Sequence, residues 1–179
     1  MKKFMLFTSL LFLAGISFSN LHINGDPARP KVGINVGDQA PELELQNLDG
    51  STVKLSDLRG KIVLIDFWAS WCGPCMQLMP SLKKKAEHLQ PYDIVVVAMN
   101  KDDENAESIA ERIRKEQGMT IPWLVEPKER PYTKLFELDS IPRMVLISPK
   151  GNVLFNGHPE DPALWAALKK VNAQIEEKH

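Results

Sequence analysis

The chain has 179 residues, 44% of them hydrophobic and 25% charged, which is the length for one domain with a proper core and the composition of a globular protein. A formal net charge of −1 gives no electrostatic reason to expect nucleic acid or an anionic membrane surface as a partner. Only two cysteines are present, three residues apart, so the fold is not stapled by a disulfide framework.

The first residues differ from the rest. Lys2 and Lys3 precede a mostly apolar run from Phe4 to Phe18, and Ser17 and Ser19 stand at the small-residue spacing a signal peptidase reads. Residues 1–19 are therefore expected to be a cleavable export signal, with a retained anchor as the alternative. The run falls short of the about 20 apolar residues that span a bilayer. Residues 20–35 are rich in Pro, Gly and Asn without a clear period and read as a linker or arm, leaving one domain over residues 36–179.

Within that domain, Glu42 to Leu45 and Thr52 to Leu55 alternate in polarity around Asp49-Gly50, the pattern of a β-hairpin. Ser56 is placed to cap a short helical turn that Gly60 ends. The apolar run Ile62 to Phe67 has the composition of a strand buried on both faces. After Cys72-Gly73-Pro74-Cys75, Met76 to Gln90 reads as a helix with Leu78, Met79, Leu82, Ala86 and Leu89 on one side and Pro80 as a kink. A second buried strand, Ile94 to Met99, an amphipathic helix from Asn105 to Gln117 stopped by Gly118, and a short strand, Ile121 to Val125, follow. A helix from Pro131 to Leu138, Ile141-Pro142, the strands Arg143 to Ser148 and Val153 to Asn156, and a last helix, Pro162 to Glu176, complete the chain. Strands alternating with helices and ending in a hairpin argue an α/β fold.

The chemistry concentrates at the end of the first buried strand. Gly73 and Pro74 break that strand, and Pro74 suits the first turn of a helix, so Cys72 is expected at a helix N-terminus. Free backbone N–H groups and the helix dipole favour a thiolate there. Cys75 lies one helical turn on, within reach of a disulfide. A loop this short constrains the unfolded chain little, which favours a catalytic disulfide over a structural one. Zinc would want two further ligands, and none of the four histidines keeps a metal-ligand spacing to the cysteines, so neither metal nor cofactor is expected. Asp66, six residues before Cys72 in the apolar strand, is costly to bury unless it acts; it reads as an acid or base with a raised pKa, or as a solvated strand-end residue. Lys83, Lys84 and Lys85 read as a solvated helix face.

The run Ile65-Asp66-Phe67-Trp68-Ala69-Ser70-Trp71-Cys72-Gly73-Pro74-Cys75 resembles the active-site segment of the thioredoxin superfamily. Residues 37–69 resemble the N-terminal region shared by peroxiredoxins and by exported reductases of the TlpA/ResA type. With a helix and strand inserted over about residues 101–126, the chain is more similar to the TlpA/ResA group than to plain thioredoxin. The resemblance implies a thioredoxin-like fold with an N-terminal β-hairpin and a helix–strand insertion before a cis-proline. It implies Cys72 as nucleophile, Cys75 as resolving thiol, Asp66 as the proton-transfer group, and Pro142 as the family's cis-proline against the cysteines. Ile141 would then offer its backbone to an extended substrate, with Trp71, Gly73 and Pro74 completing the substrate surface. ResA-type proteins carry Asn at the strand position and Glu three residues after the second cysteine; here these positions hold Asp66 and Leu78.

The implied function is that of an exported thiol–disulfide oxidoreductase, a protein disulfide reductase of the periplasm or cell envelope, in cytochrome c maturation or envelope redox homeostasis. Its partners would be disulfide-containing proteins and a membrane electron donor that re-reduces it, and a monomer is expected. Two alternatives stand beside it. One is a peroxiredoxin-like peroxidase, although the loop before Cys72 has neither the Pro nor the Thr of the peroxidatic setting. The other is a non-catalytic binding module on the same fold.

Overall fold

A continuous apolar run can be buried on both faces only at the centre of a sheet, and that is where the structure puts it. The structure, a computed structural model, describes residues 30–177; the expected export signal and the first part of the arm lie outside them. Strand β3 (Ile62–Trp68) is buried at every position and is the middle of a five-stranded sheet. Its neighbours are β4 (Ile94–Asn100), parallel to it, and β6 (Arg143–Ile147), antiparallel. Outside these lie β5 (Trp123–Val125), parallel to β4, and β7 (Val153–Gly157), antiparallel to β6, giving the order β5-β4-β3-β6-β7. A separate hairpin joins β1 (Glu44–Gln46) and β2 (Thr52–Lys54), as expected.

Side chains alternate across a strand, so β3 feeds two cores. Val63, Ile65 and Phe67 face the hairpin side, with Leu43, Leu55 and Phe136. Leu64 and Trp68 face the other side, against helix α1 (Gly73–Leu89) and helix α4 (Pro162–Val171), through Met79, Leu82, Leu164 and Leu168. Asp66 lies between Leu64 and Trp68 in this alternation and so points under α1. Helix α2 (Ala106–Gln117) and β5 form the inserted unit, which extends the sheet at its β4 edge. The β-hairpin, the insertion and the central sheet together give the α/β thioredoxin-like fold that the sequence implied.

Several local expectations change. Ser56 does not cap the short helical turn of residues 56–58: Leu55 occupies the cap position with no side-chain bond, and the Ser56 N–H donates to the Glu42 carboxylate at 2.9 Å. Helix α3 (Pro131–Leu135) is shorter than expected, because Glu137 takes a left-handed conformation (φ 46°) just beyond it. Its start is held by the buried carboxylate of Glu126, which accepts from the N–H and the hydroxyl of Thr133, both at 2.6 Å. Helix α4 ends at Val171 because Asn172 is extended, and Ile175 then folds back into the core.

The described end of the arm is tied to the body through the Ile34 carbonyl, which accepts the Asn156 side-chain amide at 3.2 Å, and the start of the domain just after it is held against β7. The Gly37 N–H donates to the Val153 carbonyl and the Val153 N–H to the Asp38 carbonyl, each at 2.9 Å. At the opposite rim, the Leu48 N–H donates to the Trp123 carbonyl at 3.1 Å, and Asn47 Oδ1 accepts the Trp123 N–H at 2.9 Å.

Candidate active site

Where β3 ends, the backbone turns through Ala69, Ser70 and Trp71 into α1. A helix start leaves its first N–H groups without intrahelical partners, and here Cys72 is the N-cap residue. Its Sγ accepts the N–H of Cys75 at 3.2 Å, the position that a Ser or Asp oxygen commonly takes. Gly73 and Pro74 are exposed in the first turn, where Pro74 lacks an N–H that would have gone unused. Cys72 and Cys75 are joined by a disulfide, with 5.2 Å between their Cα atoms. Trp71 stands out to solvent, 64% exposed, beside the pair, while Trp68 is fully buried.

Beneath the disulfide is a cavity of about 10 Å³ lined by Asp66, Cys75, Leu78, Lys85, Pro142 and Pro159, among others. That space is close to what one water molecule needs. The sequence thus brings Asp66, from the middle of β3, under Cys75, from the first turn of α1. The Asp66 carboxyl is buried, and loss of hydration pushes its pKa up to about 7, partly opposed by the positive charge of Lys85. The Ile141–Pro142 peptide bond is cis. Pairing between β3 and β6 stops at Phe67 opposite Arg143, so Ile141 and Pro142 lie past the last paired residue, at the end of the sheet where the cysteines sit. Arg143 itself is engaged by Asn156 at 3.0 Å across the ladder to β7.

Two residues near the site differ from what the sequence suggests: Lys85, expected on a solvated helix face, is buried, and Asp102, unremarked in the sequence, holds the turn before Cys72. Lys85 does not share a solvated face with Lys83 and Lys84: it is 6% exposed and donates to the Pro159 carbonyl at 3.0 Å. The signal was its spacing, since Lys85 falls three residues after Leu82 and four before Leu89, on the stripe that α1 buries. The other is Asp102, the start of the insertion. Its buried carboxylate accepts the Ser70 N–H at 3.0 Å, the Ser70 hydroxyl at 2.7 Å and the Asn100 side-chain amide at 2.6 Å. These bonds fix the turn that delivers Cys72. Replacing Asp102 by alanine leaves several buried donors without an acceptor, so Asp102→Ala is expected to cost about 2–4 kcal/mol. Urea unfolding followed by far-UV circular dichroism would read it as a lower midpoint.

Among the described residues, no three or more His, Cys, Asp or Glu side chains are grouped to hold a metal ion, and no helix is long and apolar enough to cross a membrane.

Residues 36–155 match the model of the AhpC/TSA family. The chain is 28% identical over 124 residues to thiol-disulfide oxidoreductase ResA of Bacillus subtilis (strain 168), covering 69% of this chain and 68% of that protein. It is 33% identical over 128 residues to thioredoxin-like protein YneN of the same organism, covering 72% and 74%. Among solved structures, a candidate thiol:disulfide interchange protein DsbE from Chlorobium tepidum superposes with a TM-score of 0.66 at 30% identity, covering 76% of this chain and 99% of that one.

Proposed function

Because the chain belongs to the AhpC/TSA family and is a thiol–disulfide oxidoreductase, we propose that it is an exported reductase of disulfides in other proteins. The observation that carries this reading is the Cys72 sulfur at the start of α1, within 3.2 Å of the Cys75 N–H and bonded to the Cys75 sulfur. In the reduced protein that N–H and the helix dipole favour the Cys72 thiolate. Cys72 attacks a substrate disulfide, forming a mixed disulfide and releasing one substrate thiolate. Asp66 takes the proton of Cys75, whose thiolate then displaces the second substrate sulfur from Cys72. Two electrons pass to the substrate, and the Cys72–Cys75 disulfide closes.

Trp71 offers the substrate an exposed apolar face beside the sulfurs. Ile141, next to the cis-proline Pro142, offers main-chain groups to an extended segment, as in β-addition, with Gly73 and Pro74 forming the opposite wall. The resemblance to exported TlpA/ResA-type reductases and the basic, apolar start of the chain support action in the periplasm or cell envelope. A monomer working there must be recharged, so a membrane electron donor is its second partner. Cytochrome c maturation and envelope redox homeostasis are the two settings this chemistry fits.

Equilibration with glutathione or thioredoxin tests the direction. A reduction potential near thioredoxin's, about −270 mV, is expected. A value near about −120 mV would make the protein an oxidant and reverse the assignment.

A further inference from the structure

A lysine is seldom buried without a charge partner, and α1 buries one. Cys75, Met79, Leu82 and Lys85 follow one another at helical spacing along its inner stripe. Lys85 Nζ donates to the Pro159 carbonyl at 3.0 Å and lies 5.9 Å from the centre of the Trp165 ring. It lines the same small cavity as Asp66 and Cys75. We propose that Lys85 is a positioning residue for disulfide exchange, which sets the charge on Asp66 and thereby the pH at which Cys75 can release a bound substrate. This rests on the reading of Asp66 as the base for Cys75.

The surroundings leave Lys85 as the cation that acts on Asp66. From α1 Asp66 meets Cys75 and Lys85, while its partners in the sheet, Ala98 and Met144, carry no charge. From the loop before α4, Glu160 acts on Lys85 and helps hold it protonated, as does Asp66, against the loss of hydration that pulls its pKa down. In the release step the Asp66 carboxylate accepts the Cys75 proton. The Cys75 thiolate forms its bond to the Cys72 sulfur, and the bonding pair between Cys72 and the substrate leaves with the substrate thiolate. Lys85 makes and breaks no bond. Its positive charge keeps part of the Asp66 population ionised near neutral pH, against a burial that favours the neutral acid. Without that charge the base is fully protonated to higher pH, and release slows.

The reduced protein mixed with excess chromogenic aromatic disulfide separates the two steps. Cys72 attack frees the first coloured thiolate, and Cys75 attack on the mixed disulfide frees the second. In Lys85→Met the pH midpoint of the second release is expected to rise by about one unit, a roughly tenfold slower release near neutral pH. The first release should keep its wild-type profile, and Lys85→Arg should keep the wild-type midpoint. Asp66→Asn in the same assay tests the underlying reading. If it leaves the second release unchanged, Asp66 is not the base and both ideas fall. If it slows the second release while Lys85→Met leaves the midpoint in place, the role of Lys85 alone is overturned. Should Lys85→Met not fold, the coupling can be read from the other side. By NMR titration, Lys85 should lose its proton at lower pH in Asp66→Asn than in wild type, and an unchanged titration would overturn the proposal.

Discussion

Cys72→Ser is expected to reduce the rate of insulin disulfide reduction by on the order of 10³-fold or more, as deletion of a covalent nucleophile does elsewhere. The reason is local. A serine at the N-cap would keep the helix start, since its oxygen can take the Cys75 N–H that the sulfur now accepts, but a hydroxyl cannot exchange with a disulfide. The fold should survive and the chemistry should not. Cys75→Ser has a different outcome. The first attack proceeds, and the enzyme stops as a covalent complex with its substrate, visible as a band of added mass on a non-reducing gel. The same geometry fixes the alkylation profile of reduced wild type. Cys72 should react with iodoacetamide with a midpoint well below the about 8.5 of a free thiol. A folded protein whose Cys72 ionises like free cysteine would contradict the account of its activation.

Asp66→Asn is expected to make the protein more stable in weakly alkaline solution and less able to turn over. Burial raises the Asp66 pKa from 3.8 to about 7. Between these values the folded protein holds a proton that the unfolded chain has released, so stability falls as pH rises across that window. The contribution is complete below the unfolded pKa and lost by the time pH has passed the folded one. Each pH unit is about 1.4 kcal/mol, so the window amounts to about 4 kcal/mol. Asparagine does not titrate. The stability of Asp66→Asn relative to wild type should therefore grow by up to about 4 kcal/mol between about pH 4 and pH 8, measured by urea unfolding. Parallel stability curves for the two proteins would show that Asp66 is not desolvated as the structure has it. A residue that destabilises the fold at neutral pH yet sits under the sulfurs fits the trade of stability for function common at working sites.

The strand, the Cys-Gly-Pro-Cys turn and the helix after it were legible in sequence because each is a local signal: a continuous apolar run, two breakers, then helical spacing. Ile141-Pro142 could be placed by order along the chain, and the cis bond is present. Lys85 was not legible because three consecutive lysines look alike in composition, while a helix turns each to a different side and buries only the third. Asp102 was not legible because its partner Ser70 is 32 residues away, and no local pattern reports a bond of that span. Ser56 had the residue type of a cap, but Leu55 holds that position and the Ser56 N–H goes to the carboxylate of Glu42, fourteen residues earlier, just ahead of β1. Helix ends also moved: α3 and α4 stop where Glu137 and Asn172 leave helical backbone, a change that residue type alone does not mark.

A sheet with open rims risks adding other extended chains to itself, because an open rim accepts an extended segment and can polymerise with it. Here Asn47 and Leu48 lie against β5 at one rim, and Gly37 and Asp38 lie against the start of β7 at the other. An extended segment therefore meets covered backbone at β5 and at the start of β7 instead of an open template for a growing aggregate.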